Sequence, residues 1–177
     1  MRELNKFEQV LINLTEGGQS LEREEWDCIY LFSMLYAYGE SIWEPIGTGI
    51  GHTGDVADWL LSSNSLDHGM IDNAFGYFSQ RYTTAGVANH RFDDLFPDRQ
   101  DRSGGKPPMK ILIEKMNPTT KEKLSLCLKV LHRLRNNLFH GEKWKINFRD
   151  QFDNFNHSNM LLTMLLEKTK NNLWHVY

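Results

Sequence analysis

Apolar residues recur at helical spacing along most of the chain. Five segments place their apolar side chains on one helical face in this way: residues 6–14, 21–38, 55–63, 67–82 and 147–173. Alternating patterns typical of strands are nearly absent, and the chain contains no Asn-Gly or Asp-Gly hairpin turn. The pattern therefore predicts an all-α fold, a helical bundle in a single domain over residues 1–177.

The most regular segment is residues 119–140. Thr119 and Glu122 match the T-x-x-E capping box that starts a helix, and Gly141 is the residue type that best tolerates a helix end. Between them, one apolar stripe repeats at intervals of three and four residues: Leu124, Cys127, Leu131, Leu134 and Leu138. This spacing predicts a helix with one core-facing side.

Two segments interrupt the helical pattern and are predicted to be loop elaborations. Residues 39–54 are rich in glycine. Residues 90–108 are polar and are predicted to form a surface loop with a single helical turn. The first contains GIGHTG, which matches G-x-G-x-x-G. That motif indicates a dinucleotide site only after a strand in a βαβ unit, so a loop or close helix packing is the favoured interpretation.

Composition and the spacing of cysteine and histidine residues argue against several classes of protein. The chain is 40% hydrophobic and 24% charged, and it lacks the roughly 20-residue apolar run that spans a bilayer, so no membrane partner is expected. Cys28 and Cys127 are far apart, which argues against a disulfide framework or structural zinc and suits a reducing cytoplasm. The seven histidines show no paired-ligand spacing, so the sequence predicts neither a metal site nor a cofactor.

Charge is unevenly distributed. The net charge is −3, yet residues 121–149 carry eight Lys or Arg against two Glu, a local charge of +6 that leaves −9 elsewhere. A basic segment in an acidic chain points to a polyanion site, although a solvated helix face explains the charge alone equally simply.

The end of the predicted helix 119–140 is unusually polar. At 100° per residue, five side chains fall opposite the apolar stripe, with Arg135 at its edge: Lys129, Arg133, Asn136, Asn137 and His140. Consecutive asparagines are poor helix formers, and such breaks occur at functional or strained positions. Two interpretations stay open on this geometry: a functional site, or a helix end that unwinds at the asparagines and is capped by His140.

The segment RNNLFHG (135–141) resembles the R-x4-H motif of the HEPN superfamily. Arg135 and His140 have the required spacing, and Asn136 is the polar residue that follows the arginine in that motif. The resemblance is specific over residues 124–166. It implies a HEPN-type helical bundle whose motif-bearing region is residues 119–173.

The resemblance also implies an activity. Many HEPN proteins are metal-independent ribonucleases in which two R-x4-H motifs meet across a homodimer. The implied reaction is attack of a ribose 2′-OH on the adjacent phosphorus. His140 would be the general acid or base, Arg135 would hold the phosphate, and Asn136 would orient His140 or the phosphate.

The implied partners are RNA, a second copy of the chain, and an antitoxin or regulatory protein if the enzyme is a toxin or phage-defence effector. Five residues are expected to bind RNA: Lys129, Arg133, Asn137, Lys143 and Lys145. Trp144 is either a base-stacking platform or, more simply, an apolar plug. The alternative function is a non-catalytic HEPN module that binds RNA or a protein partner, and a purely structural bundle is a third possibility.

Overall fold

The computed structural model describes residues 9–10, 13, 21–62, 66–97, 105–140, 148 and 150–169. The helix predicted over residues 6–14 lies mostly outside this set, as does the end of the helix predicted over residues 147–173.

The described residues form seven α-helices and one short hairpin. The helices are α1 (Arg23–Trp43), α2 (Thr53–Ser62), α3 (His68–Tyr82), α4 (His90–Asp93), α5 (Lys106–Ile113), α6 (Thr120–Phe139) and α7 (Phe152–Thr169). One 3-10 turn (Ile50–His52) precedes α2, and strands β1 (Thr83–Thr84) and β2 (Val87–Ala88) pair antiparallel. The predicted all-α fold is confirmed.

Helix α6 lies at the centre of the bundle. It packs against α2 and α3, and also against α5 and α1, while α1 and α3 pack on α7. Twelve of the twenty residues of α6 are buried, far more than one apolar stripe would bury. The motif helix is therefore enclosed along most of its length, and polar side chains reach the surface at its two ends.

The start of α6 follows from the capping chemistry predicted for it. The Thr119 hydroxyl accepts a hydrogen bond from the Glu122 N–H at 3.3 Å, and the Glu122 carboxylate accepts one from the Thr119 N–H at 2.8 Å. These bonds satisfy donors that a helix start would otherwise leave unpaired. They fix the residue at which α6 begins, and therefore the positions of the motif residues at its opposite end.

Two helix ends differ from the prediction. Helix α1 continues past residue 38 to Trp43, where the Trp43 ring packs so closely on Gly39 that a Cβ there would lie 2.9 Å from it. Helix α7 starts at Phe152 rather than at residue 147. Phe148 and Asp150 have φ values of 53° and 55°, which a right-handed helix excludes.

The surface loop with a single helical turn predicted over residues 90–108 is correct in that turn, which is α4, but wrong about exposure in its described parts. Phe92, Leu95 and Phe96 are buried in the core, and α5 already begins at Lys106. The loop predicted over residues 39–54 is also shorter, because α1 and α2 occupy both of its ends. Gly47 adopts φ 131°, a conformation that only glycine adopts readily.

None of the helices within the described residues combines the length and apolar character needed to cross a membrane.

Candidate functional site

The R-x4-H motif occupies the exposed C-terminal end of α6. The helix continues through both asparagines to Phe139, and His140 is its C-cap, with its backbone N–H 2.9 Å from the Asn136 carbonyl oxygen. The side chains of Phe139 and His140 are exposed, Phe139 to 62%. The helix therefore does not unwind at the asparagines, and the imidazole of His140 lies at the protein surface.

Arg135 is held in place yet remains accessible. Its Nη2 lies 3.3 Å from Glu40 Oε2 on α1, and its Nη1 donates to Asn136 Oδ1 at 3.1 Å. The guanidinium also lies 5.3 Å from the centroid of the Phe139 ring, and 33% of the side chain stays exposed. The Glu40 side chain is itself 23% exposed, so solvent reaches both partners of this ion pair.

Asn136 bridges two side chains on its own helix. Its Oδ1 accepts from Arg135, and its Nδ2 lies 3.0 Å from His132 Nε2. Both ends of the amide are thus engaged away from His140. The observed side-chain contacts of Asn136 orient Arg135, and the expectation that Asn136 orients His140 or the phosphate stays a prediction.

His132 belongs to the same cluster, although the sequence pattern does not predict it as a site residue. Its Nδ1 lies 3.2 Å from the Tyr36 hydroxyl on α1. Burial, assisted by the nearby cations Arg133, Arg135 and Lys129, lowers the pKa of His132 to about 4. Burial also raises the pKa of the Tyr36 phenol, so both groups are uncharged at neutral pH.

Three residues expected to bind RNA are buried instead: Lys129 is 9% exposed, Arg133 2% and Asn137 0%. Lys129 Nζ donates to the Ile50 carbonyl at 2.9 Å, and Arg133 Nε donates to the Leu95 carbonyl at 2.8 Å. Asn137 Nδ2 also reaches the Leu95 carbonyl, at 3.3 Å. The prediction that these side chains face solvent is wrong, and they bind the chain itself.

Arg133 and Asn137 are buried because α6 has a second contact face. Residues 126, 130, 133 and 137 repeat at helical spacing next to the leucine stripe, apolar at first and polar towards the end. The segment after α4 packs on that polar end and presents the carbonyl oxygens of Asp94 and Leu95 to it. Because buried polar groups need hydrogen bonds, Arg133 and Asn137 supply the donors there.

Lys143, Lys145 and Trp144, the remaining residues considered for RNA binding, lie outside the described residues, so those predictions stay open.

We expect Arg133→Ala to lower the free energy of unfolding by about 2–4 kcal/mol, because it removes a buried charged donor and the packing of the guanidinium on the Phe96 ring. Urea denaturation measures this loss. Arg91→Ala is the matched control: Arg91 is largely exposed, its ion pair with Asp150 spans 2.9 Å, and the expected loss is below about 1 kcal/mol. Equal losses in the two variants would contradict the buried role of Arg133.

We expect His132 to destabilise the fold in acid. Its folded pKa of about 4 lies below the ordinary histidine pKa of 6.5, so the unfolded chain binds the proton first as the pH falls from 6.5 towards 4. Between pH 7 and 4.5, wild type should lose about 2 kcal/mol more than His132→Gln, which cannot titrate at that position. Urea denaturation at both pH values tests this, and identical pH dependence in the two proteins would refute it.

Within the described residues, no cluster of three or more His, Cys, Asp or Glu side chains is arranged to hold a metal ion. Cys28 and Cys127 are both buried free thiols. Burial raises the pKa of both thiols, which leaves them poor nucleophiles. Among the described residues, the end of α6 brings together a guanidinium, an amide, an accessible imidazole and the Glu40 carboxylate.

No protein-family model matches the chain, and neither a curated protein nor a solved structure matches it. The interpretation of the site therefore depends on the motif and its geometry.

Proposed function

We propose that the protein is a HEPN-type endoribonuclease that cleaves RNA without a metal ion at the C-terminal end of α6. One observation carries the proposal. Of the predicted site residues that the structure describes, the three of the motif, Arg135, Asn136 and His140, remain at least partly accessible. The three predicted only as RNA contacts, Lys129, Arg133 and Asn137, are buried. Burial thus separates the residues proposed to act in the reaction from those expected to make general RNA contacts.

The reaction assigned to this site is transesterification within the RNA chain. The ribose 2′-OH attacks the neighbouring phosphorus and the P–O5′ bond breaks, leaving a 2′,3′-cyclic phosphate and a 5′-OH end. One imidazole takes the 2′-OH proton and another gives a proton to the departing 5′ oxygen. Arg135 offsets the charge that builds on the phosphoryl oxygens, a task for which a planar guanidinium fork is well suited.

A second copy of the chain supplies the second imidazole. Arg135 and His140 are five residues apart, about 140° around the helix axis, so one chain points them in different directions. A two-fold axis brings the arginine of one chain to the histidine of the other. The exposed Phe139 ring lies between the two motif residues and offers apolar surface for that contact.

The test is cleavage of a labelled oligoribonucleotide by the wild-type protein in EDTA, beside the same sequence made as DNA. We expect RNA to be cut to cyclic phosphate ends and DNA to remain intact, because the nucleophile is the 2′-OH. Loss of cleavage in EDTA, or cleavage of both polymers, would overturn the proposal.

The second candidate is a non-catalytic HEPN module that binds RNA or a protein. It is favoured by the burial of Lys129 and Arg133, which removes two cations from the expected RNA-binding surface. RNA binding without cleavage by wild type would support this candidate, and cleavage dependent on His140 would exclude it.

A further inference from the structure

A line of hydrogen bonds links the interior of the bundle to the motif arginine. The Tyr36 hydroxyl lies 3.2 Å from His132 Nδ1, and His132 Nε2 lies 3.0 Å from Asn136 Nδ2. Asn136 Oδ1 then accepts from Arg135 Nη1 at 3.1 Å. Three of these four side chains belong to one face of α6, and the fourth comes from α1, so tertiary packing holds the line together.

The chemistry of Arg135 fixes the direction of every bond in this line. A guanidinium has only donors, so the Asn136 atom facing it must be the carbonyl oxygen. The Asn136 NH2 group therefore faces His132 and donates to Nε2, which must be unprotonated. The proton of the neutral imidazole then lies on Nδ1 and is donated to the Tyr36 oxygen.

We infer that His132 is a positioning residue for the proposed ribonuclease site, and that its Nδ1–H tautomer holds the Asn136 amide in the orientation that fixes Arg135. This inference rests on the proposed function. His132 does not touch the RNA in this scheme. It acts through Asn136 on the guanidinium that receives the phosphate.

The surroundings of His132 favour the neutral form that this role requires. The groups on α6 that face it are the cations Lys129, Arg133 and Arg135, while α1 contributes Tyr36 and, beyond Arg135, Glu40. The glycine-rich segment 47–49 contributes no ionisable side chain and lines a cavity of about 20 Å³ with Tyr36 and His132. A second proton on His132 would lie on Nε2. It would then face the Asn136 NH2 group, which is also a donor, and the hydrogen bond would be lost.

Removing the acceptor at position 132 frees the Asn136 amide to rotate and leaves Arg135 held by Glu40 and Phe139 alone. Because small misplacements of a group that binds the transition state are costly, we expect kcat to fall 10- to 100-fold. KM should change much less, since the guanidinium charge is still present.

The experiment compares His132→Leu with His132→Gln. A Gln carboxamide oxygen reaches about where Nε2 lies and can accept from Asn136, so this variant should retain kcat within roughly fivefold of wild type while the Leu variant loses it. His157→Leu is the matched control, because His157 is also partly buried, stacked 3.9 Å from the Tyr77 ring and remote in sequence from the motif. Equal kcat in wild type and His132→Leu would overturn the inference, as would equal losses in the Leu and Gln variants.

A second measurement does not depend on cleavage. NMR of 15N-histidine-labelled protein should find His132 as the Nδ1–H tautomer at pH 7, and the Arg135 Nε–H group should be more mobile in His132→Leu than in wild type. An Nε2–H tautomer, or unchanged Arg135 mobility, would overturn the inference even in a protein that cleaves RNA. Absence of cleavage with the expected NMR result would instead reject the ribonuclease proposal and leave the positioning contact supported.

Discussion

Replacing His140 with alanine should lower kcat/KM for RNA cleavage by about 10²–10⁴-fold, because positioned proton transfer contributes about that much. The loss should lie at the upper end of this range if both copies of the imidazole in a dimer take part, one as base and one as acid. Initial rates with a labelled oligoribonucleotide measure the effect.

Stability should not explain this loss. The His140 side chain is exposed, and the backbone N–H that caps α6 is retained in the alanine variant. The free energy of unfolding should therefore change by less than about 0.5 kcal/mol. His90→Ala, which removes another exposed histidine, is the matched control and should cleave like wild type. A His140→Ala protein with wild-type activity would exclude His140 from the chemistry.

Arg135→Lys should be nearly as damaging although it keeps the positive charge. We expect kcat to fall about 100-fold, since an ammonium cannot hold a phosphate with two parallel hydrogen bonds. The lysine also loses the fork that now reaches both Asn136 and Glu40. Steady-state kinetics should show a larger effect on kcat than on KM.

The control for this substitution is Arg91→Lys, which replaces an exposed arginine in an ion pair with Asp150. It should leave both kinetic constants unchanged. If Arg135→Lys also leaves kcat unchanged, the guanidinium acts only as a charge and the geometric role assigned to it is wrong.

Local chemistry made the starts of these helices predictable from the sequence. The capping box at Thr119 and Glu122 predicts the start of α6, and the N-cap residue Asp67 lies at the predicted start of α3. Such signals involve side chains within a few residues of each other, so no tertiary information is needed. At the end of α1 the prediction stopped too early, because Gly39 is a typical helix breaker. The helix continues to Trp43, whose ring packs on Gly39 and is buried in the core.

The burial of Lys129, Arg133 and Asn137 could not be predicted in the same way. The prediction placed them on the side of α6 away from the leucine stripe, and their polarity suggests solvent. What buries them are the carbonyl oxygens of Ile50 and Leu95, which are 79 and 38 residues away from their partners. A sequence pattern identifies a polar face but not whether a distant backbone segment will occupy it.

His132 was missed for a related reason. Its sequence signal is weak: it lies three residues before Arg135 and four before Asn136, on the same helix face. A lone histidine at such a spacing is ordinary on a helix surface. Only the Tyr36 hydroxyl from α1 distinguishes it, because that contact fixes the orientation of the ring and helps to bury it. The accessible motif residues were predictable, while the side chain behind them was not.

The most direct test of the composite site is to mix two inactive variants. Arg135→Ala and His140→Ala proteins are incubated together long enough to exchange subunits and are then assayed with labelled RNA in EDTA. If the arginine of one chain works with the histidine of the other, mixed dimers contain one intact Arg–His pair but only one of the two imidazoles. A 1:1 mixture should therefore cleave RNA measurably faster than either variant alone, although below about a quarter of the wild-type rate. A mixture that stays as inactive as its two components, although mixed dimers are shown to form, would contradict the account.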